Sequence, residues 1–463
     1  MMFRRFALLC LCLGLWLFTP QASADVASPE DQHVLVICVD GLPAYLLEDP
    51  SAPLANVRTL AKAGTVAEGM SVSNPSVTWP NHTSMVTGAT PRKHGVLFNG
   101  VLERGSVGLP VRVDAKRDKA DLVRIPTIYD VLHKAGLSTV GINWPCTRNS
   151  GTLDIDVPDS PDMFQHSTPS FLASMKEAGL LDDATRDGFS KLGPSARDQL
   201  WTRAACHAIR TVKPRFTLLH LLNCDALHHR HGPQTWAGYA AVGYADSCVG
   251  EVLRAVADAG LTDKTTVFIV ADHGFMSIPK TIQPNVLLRQ AGLLTVENDK
   301  IATARAQVVP EGGIGMVYLT VPETAAEDRQ KVIELFREQE GIERILEPKD
   351  YAEYGLPQPD EYRQMADLIL VGKEGYGFND KAAGEDRIIE SVTTLGTHGF
   401  LSTHPKMNAI FVASGAGVRS GAKLGVIRNI DLAPTVAKLF GVSLPAAEGR
   451  VLSELFAEPA AGK

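Results

Sequence analysis

Carboxylates and imidazoles stand where several hydrophobic segments of this sequence end. The residues in these positions are Asp40, Asp225, Asp272 and His273, with His229 four residues beyond Asp225 and His398 before a later apolar segment. Such groups are expensive to bury together unless a positive charge pairs with them. Carboxylate oxygens and imidazole nitrogens are ligands that suit a divalent metal such as zinc. The pattern therefore predicts a metalloenzyme.

The segment 76–88, which includes Thr78 and Pro80, offers a nucleophile. Proline suits the first turn of a helix, so Thr78 is expected at or just before a helix N-terminus. Backbone N–H groups and the helix dipole at that position favour an anion such as phosphate. Many threonines there act only as N-caps, and that is the alternative interpretation of Thr78. The metal-ligand residues elsewhere favour catalysis, because a metal can stabilise a threonine alkoxide.

The segments that would position these residues alternate between strand and helix patterns over 33–280. Apolar β-rich runs separated by helical stretches predict a doubly wound, mostly parallel α/β sheet with right-handed crossovers. Ligands bind beyond the carboxyl ends of such strands, which is where the acidic residues fall. The pattern changes over 281–394, which predicts a small α+β insert or cap. We expect 25–280 and 395–463 to form the core.

Residues 1–24 have the features of a secretory signal peptide. Arg4 and Arg5 precede the apolar run 6–18, and 22–24 is a small-residue cleavage signal. The run is short for a bilayer span, and a retained membrane anchor is the alternative. We expect a periplasmic or secreted protein without a stable membrane span.

Composition excludes some classes of function. The chain has 463 residues, 45% of them hydrophobic and 21% charged, which allows one large domain with an insert. The formal net charge is −7, and an acidic chain is a poor candidate for binding a nucleic-acid duplex. The cysteines beyond residue 24 are odd in number and irregularly spaced, which argues against a disulfide framework.

The histidines around the acidic residues need to be told apart. His228 and His231 flank His229, but the four-residue step from Asp225 places His229 on the same side of a helix. We therefore expect His229 to be the ligand. For His82 and His94 we expect hydrogen-bonded structural roles.

These motifs, taken in order, resemble the nucleotide pyrophosphatase/phosphodiesterase group of the alkaline phosphatase superfamily. The matching blocks are Asp40-Gly41, Thr78-Trp79-Pro80-Asn81-His82, Pro91-Arg92-Lys93-His94-Gly95, Asp225-x-x-x-His229, Ala271-Asp272-His273-Gly274, Gly396-Thr397-His398-Gly399, 429–435 and 448–450. They span nearly all of the chain beyond residue 24.

The resemblance implies two divalent metal ions, with zinc as the expected metal. One ion would be held by Asp225, His229 and His398, and the other by Asp40, Asp272 and His273 with Thr78 Oγ1 as a further ligand. Asn99, which lies 21 residues after Thr78, matches the family's donor to a phosphoryl oxygen. A backbone amide near Thr78 would help it stabilise negative charge. The implied reaction is hydrolysis of a small phosphorylated substrate, a phosphodiester or pyrophosphate, through a phosphothreonine.

Two alternatives stay open. Phosphomonoesterases and phosphonoacetate hydrolases of the same superfamily share this machinery but add a pair of basic groups. Here only Arg148 and the run 116–119 offer such charges. A non-catalytic zinc-binding protein would need neither Thr78 nor Asn99, and structural zinc sites often use Cys, which these ligand sets lack.

Overall fold

The computed structural model describes residues 31–457. The signal peptide predicted for residues 1–24 lies outside this range. Within it, no helix combines the length and the apolar character that crossing a bilayer requires.

An eight-stranded sheet forms the centre of the molecule. Its strands are β1 (His33–Val39), β2 (Thr65–Ser71), β3 (Thr139–Trp144), β4 (Ile155–Pro158), β5 (Phe216–Leu221), β6 (Thr265–Val270), β7 (Phe411–Gly415) and β8 (Ala422–Arg428). Their spatial order is β8-β2-β7-β6-β1-β5-β3-β4. Strand β7 runs antiparallel to both of its neighbours, and every other neighbouring pair is parallel. The predicted doubly wound, mostly parallel α/β fold is confirmed.

Helices connect and cover these strands. Their bounds are Tyr45–Glu48, Ala55–Ala63, Thr78–Thr87, Pro91–His94, Lys119–Leu122, Ile128–Lys134, Met163–His166, Pro169–Glu177, Asp183–Gly188, Pro194–Thr211, Asn223–His231, Trp236–Asp258 and Leu432–Phe440. Thr127 and Thr235 accept N-cap hydrogen bonds at two of the helix starts. Strand β7 begins at Phe411, and Ala409 before it forms isolated bridges with Pro43 and Met70.

Residues 281–394 build an antiparallel sheet with its own apolar core, which includes Val317, Phe336 and Leu370. The strands of this sheet, in spatial order, are Ala306–Glu311, Ile314–Leu319, Leu368–Gly372 and Ile342–Leu346. Helices Pro284–Gln290 and Ala325–Arg337 and the hairpin of Leu294–Glu297 with Lys300–Ala304 accompany it. The sequence pattern did not reveal this hairpin or the strand Ala306–Glu311.

Short strands join this part of the chain to the core. Lys280–Ile282 pairs with Tyr376–Phe378 and with Ile388–Glu390, and Met276–Ser277 pairs with Gly396–Thr397. A further hairpin pairs Val101–Glu103 with Arg112–Asp114. Five cysteines lie within 31–457, and all five are buried and free.

Candidate active site

The sheet topology brings the strand-end acidic residues together. Strand β1 lies between β5 and β6 and is parallel to both, so the three carboxyl ends share one edge. Asp40 follows β1, and Asp272 follows β6 after a single alanine. Asp225 is carried by the helix Asn223–His231, which begins just after β5. The Gly41 amide donates to Asp272 Oδ1 at 3.1 Å, which ties two of these strand ends to each other.

His273 stands among all three carboxylates. Its Nε2 atom lies 3.2 Å from Asp272 Oδ2 and 3.3 Å from Asp40 Oδ1. The same nitrogen is 4.0 Å from Asp225 Oδ1. Its Nδ1 atom donates to the carbonyl of Gly274 at 3.1 Å, which leaves Nε2 facing the acidic groups.

Asp225 Oδ1 has two further imidazoles beside it. His229 Nε2 lies 3.4 Å away and His398 Nε2 lies 3.6 Å away. The Nδ1 atoms of these rings donate to the carbonyls of Gly396 and Ser76, at 3.0 and 2.9 Å. Backbone hydrogen bonds of this kind fix the orientation of a metal-binding imidazole.

The compact groups differ in one member from the sets expected from sequence. Within residues 31–457, two groups have ligand atoms within 4.8 Å of one another: Asp225, His273 and His398, and Asp40, Asp272 and His273. His273 joins the Asp225 group because its ring stacks on that of His398, with centroids 3.6 Å apart and planes inclined by 12°. His229, one helical turn after Asp225, places a third imidazole beside the Asp225 carboxylate.

The ligand-type atoms at the centre of this cluster lack hydrogen-bond partners among the described residues. The buried unpartnered atoms here are Asp40 Oδ1, Asp225 Oδ1, Asp272 Oδ2 and His273 Nε2. Each buried polar atom without a partner costs about 1–3 kcal/mol, and charged atoms cost more. A divalent cation among these atoms would satisfy them all, so the donor set fits a metal ion.

Electrostatics supports the same conclusion. Burial, with the nearby Asp225 carboxylate, raises the pKa of Asp40 well above its usual range. Burial and the charge of Asp40 do the same to the pKa of Asp272. Burial, with His398 beside it, lowers the pKa of His273 well below its usual range. Carboxylates that are buried this close together need a positively charged partner to remain ionised. The neutral form of histidine, which the low pKa favours, is the form that binds a metal.

Thr78 is the first residue of the helix Thr78–Thr87, and every residue of that helix is buried. Val77 is the N-cap and no side chain caps the helix, so the interpretation of Thr78 as a cap is wrong. Its carbonyl accepts from His82 Nδ1 at 2.9 Å, and that nitrogen lies 3.6 Å from Asp272 Oδ2. Thr78 is thereby tied to the edge of the acidic cluster.

Asn99 is held by the residue that follows Thr78. The Trp79 amide donates to Asn99 Oδ1 at 2.9 Å, which leaves the Asn99 NH₂ group free to donate. Asn99 lines a cleft of about 1460 Å³ together with Val77, His229 and His398. Because the Trp79 backbone N–H donates to Asn99, this N–H orients the asparagine side chain.

Sequence reasoning missed His220, which lies in β5. Its Nε2 atom is 2.9 Å from Asp40 Oδ2, and its Nδ1 atom is 2.9 Å from the carbonyl of Asn143. His220 is 2% exposed. A histidine inside an otherwise apolar strand was the available signal. Because Asp40 Oδ1 faces His273, the hydrogen bond to Oδ2 fixes the direction of the free oxygen.

The histidines expected to be structural fall into two groups. His94 accepts from the Val96 amide and contacts Ser84 Oγ at 3.0 Å, which is a structural role. His82 is fully buried beside the acidic cluster, and its Nε2 atom has no partner within the described chain. His82 therefore belongs to the surroundings of the site as well as to its helix.

Residues 34–401 match the family model described as type I phosphodiesterase / nucleotide pyrophosphatase. The chain belongs to this family. It is therefore a hydrolase of the nucleotide pyrophosphatase/phosphodiesterase group, and the expected membership of the alkaline phosphatase superfamily is confirmed.

Several relatives are similar over most of this chain. The bis(5'-adenosyl)-triphosphatase enpp4 of Xenopus laevis is 21% identical over 90% of this chain and 80% of its own length. Ectonucleotide pyrophosphatase/phosphodiesterase family member 1 of Mus musculus is 22% identical over 92% of this chain, which spans only 42% of that relative.

Solved structures of this family share the fold. Human ectonucleotide pyrophosphatase/phosphodiesterase 5 superimposes with a TM-score of 0.68 at 17% identity, over 92% of this chain and all of that one. An inactive murine form of the same protein in complex with AMP gives a TM-score of 0.67 at 15% identity, with the same coverage.

Proposed function

We propose that this protein hydrolyses phosphodiester or pyrophosphate bonds by covalent catalysis at Thr78, with two zinc ions as cofactors. The observation that carries the proposal is the convergence of unpartnered ligand atoms beside the buried start of the Thr78 helix. Asp40, Asp272, His273 and Thr78 Oγ1 would hold one ion, and Asp225, His229 and His398 the other. Bound zinc would favour the alkoxide form of Thr78 and offset charge on the leaving oxygen.

The reaction balances in two displacements. Thr78 Oγ1 gives its proton to solvent and forms a bond to phosphorus, while the bond from phosphorus to the leaving oxygen breaks. The electron pair of that bond stays on the leaving oxygen, which takes up a proton from solvent. Water then attacks the phosphothreonine and loses a proton to solvent, and the electron pair of the broken bond returns to Thr78 Oγ1, which takes up a proton again. The free NH₂ group of Asn99 donates to a non-bridging oxygen, where negative charge increases in both steps.

The basic groups that the sequence offers for binding a second negative charge are paired with acidic residues. A monoester carries a second negative charge, and relatives that bind one supply extra basic groups. Here Arg148 pairs with Asp118 at 2.8 Å and with Asp162 at 3.2 Å. Arg117 pairs with Asp114 at 2.9 Å, and Lys119 is buried against Asp130. These pairs neutralise the basic groups, whereas Arg112, Lys300 and Lys381 line the cleft. Phosphomonoesterase and phosphonoacetate hydrolase activities are therefore the alternatives that the assay has to distinguish.

The size of the cleft agrees with a nucleotide or another organic diester. Its volume, about 1460 Å³, exceeds the roughly 300–1000 Å³ of ordinary small-molecule pockets. The names of the relatives refer to nucleotide substrates, and AMP is the ligand in the murine structure. We propose nucleotide diesters and pyrophosphates as the first substrates to test.

One comparison tests the proposal. The zinc-loaded protein is assayed side by side with a simple phosphodiester, the corresponding monoester and phosphonoacetate. We expect the diester to be hydrolysed with the highest kcat/KM and a Thr78→Ala variant to lose that activity. A higher kcat/KM for the monoester or the phosphonate would establish an alternative, and no turnover with any of the three would support a non-catalytic zinc protein.

We also propose that the protein is exported and that residues 1–24 are removed. The support is the charge and hydropathy pattern of that segment. Determination of the N-terminal residue of protein recovered from the periplasm or culture medium tests this, and a chain that still begins at Met1 would contradict it.

A further inference from the structure

A hairpin of the residues 281–394 is packed directly on the backbone of a site histidine. The strand Ala306–Glu311 turns through Gly312 and Gly313 into Ile314–Leu319. The Gly313 amide donates to the carbonyl of His398 at 2.8 Å. The hairpin tip is therefore part of the wall of the active site.

Two glycines allow the backbone of the hairpin to lie this close to the backbone around His398. A Cβ atom on Gly399 would lie 1.7 Å from the Glu311 carbonyl, and one on Gly312 would lie 2.2 Å from the His398 carbonyl. Both glycines have positive φ angles, +82° and +71°. Two backbones at this separation cannot slide past each other, so Glu311 stays beside the residues that surround His398.

The Glu311 side chain lines the same cleft as Asn99 and His398. It makes no hydrogen bond or ion pair with any residue of 31–457. The side chain is partly exposed, so the carboxyl group is open to the cleft. Nothing in the fold uses this carboxyl group: the hairpin is closed by backbone bonds, and the nearby Gln307 carries the side-chain contacts to Val111.

A carboxyl group without a partner in a binding cleft is complementary to a group that the ligand brings. Such a group must donate hydrogen bonds, since an ionised carboxylate only accepts them. The phosphate of the substrate cannot serve, because its oxygens carry negative charge. The partner must therefore lie on the organic part of the ester, within a short distance of phosphorus, and an ammonium or a hydroxyl group has the required chemistry.

We propose that Glu311 is a specificity-determining residue that binds an ammonium or hydroxyl group on the organic part of the substrate, close to the scissile phosphate. This inference rests on the proposed diesterase function. It narrows the substrate class to phosphodiesters whose alcohol carries a hydrogen-bond donor a few atoms from phosphorus.

Three esters that differ in one terminal group test the proposal. They are the 4-nitrophenyl phosphodiesters of 2-aminoethanol, of ethylene glycol and of propanol, which release the same leaving group. The wild-type protein should prefer the ester whose donor matches Glu311 over the propyl ester by roughly 10- to 100-fold in kcat/KM, the range for hydrogen bonds to charged groups. The preference should lie mainly in KM, because the donor group takes no part in the bonds that form and break.

Two variants of Glu311 show whether the preference among the esters depends on the charge of the side chain or on its capacity to accept a hydrogen bond. Glu311→Gln keeps an acceptor of nearly the same shape, so it should abolish a preference for the aminoethyl ester and retain part of one for the hydroxyethyl ester. Glu311→Leu should abolish both. Glu334→Gln is the matched control, since Glu334 is an exposed glutamate on helix Ala325–Arg337 and outside the cleft.

The outcomes are distinct. Equal kcat/KM for the three esters, or a Glu311→Gln variant that keeps the wild-type ratios, would overturn the role of Glu311 while leaving the diesterase function standing. Failure of the wild-type protein to hydrolyse any of the esters would overturn the proposed function, and this inference with it.

Discussion

His220 Nε2 lies 2.9 Å from Asp40 Oδ2, although the two residues are 180 positions apart in the chain. Strand β5, which carries His220, is hydrogen-bonded to β1, which ends at Asp40. The contact orients a carboxylate whose other oxygen is buried without a partner among the described residues. The first prediction follows from this pair.

His220→Ala should weaken zinc binding by roughly 10- to 100-fold, the range for loss of a group that orients a metal ligand. Competition with a chromophoric chelator measures the affinity directly. His220→Gln is the control, because its amide can still donate to Asp40, and it should recover part of the loss. Unchanged zinc affinity in His220→Ala would contradict the orienting role.

Thr78→Ala should lower kcat for the diester by at least about 10³-fold, because the alanine cannot form the covalent intermediate. Zinc content, measured by atomic emission, should change little, since Asp40, Asp272 and His273, the other proposed ligands of that ion, remain. Thr78→Ser keeps the hydroxyl group and should retain measurable turnover. Wild-type activity in Thr78→Ala would reject the nucleophile assignment.

Loss of one histidine ligand should be visible in the metal stoichiometry. His398→Ala should bind one equivalent of zinc fewer than the wild-type protein, because Asp225 then lacks the imidazole 3.6 Å from its Oδ1 atom. His229→Ala should weaken the same ion, whereas His231→Ala, on the same helix but outside the cluster, should bind zinc normally. Two full equivalents in His398→Ala would show that the ligand sets are wrong.

Removal of zinc should inactivate the protein and lower its unfolding temperature. The apo protein keeps mutually repelling carboxylates buried, and a ligand that binds only the folded state stabilises it by mass action. Dialysis against a chelator, followed by differential scanning calorimetry with and without added zinc, checks both effects. Activity and melting temperature that do not respond to the chelator would remove the metal mechanism.

A buried carboxyl group away from the site should make stability depend on pH. Burial raises the pKa of Asp156 from 3.8 to about 8, while Thr147 Oγ1 donates to it at 2.9 Å. The folded state therefore holds this proton where the unfolded state releases it. The contribution to stability is complete below pH 4 and is lost as pH rises towards 8, by about 1 kcal/mol per pH unit.

The variant Asp156→Asn isolates this effect, because an amide does not ionise. Its free energy of unfolding should be close to that of the wild-type protein at or below pH 4, and the excess over the wild type should grow as pH rises to 9. Urea denaturation at several pH values, monitored by fluorescence, measures the difference, in which the other titrating groups cancel. Parallel stability curves for the two proteins would contradict the prediction.

Helix periodicity is sufficient to distinguish His229 from the histidines beside it. The four-residue step from Asp225 selects His229, and the chain does form a helix from Asn223 to His231. His229 Nε2 faces Asp225, whereas the buried His228 contacts the carbonyl of Gly41 at 3.2 Å. Local spacing predicts this arrangement because both residues belong to one regular element.

The spacing between Thr78 and Pro80 did not decide whether Thr78 is the N-cap or the first residue of the helix. A threonine before proline fits both the cap and the first turn, and one residue of difference separates the two. The structure shows Val77 at the cap position and Thr78 in the first turn, tied through His82 to Asp272. That connection depends on how the helix packs against the turn that follows β6.

The sequence by itself determined the fold class and the residues at the strand ends, because parallel strands must present their carboxyl ends at one edge and Asp40, Asp225 and Asp272 each stand just past such an end. Only the tertiary structure decided that His273 stacks on His398, that His220 supports Asp40 and that Glu311 faces the cleft. These contacts join elements that are distant in the chain. They depend on the order of the strands in the sheet and on how the hairpin packs against the core, and no local sequence pattern predicts either of these.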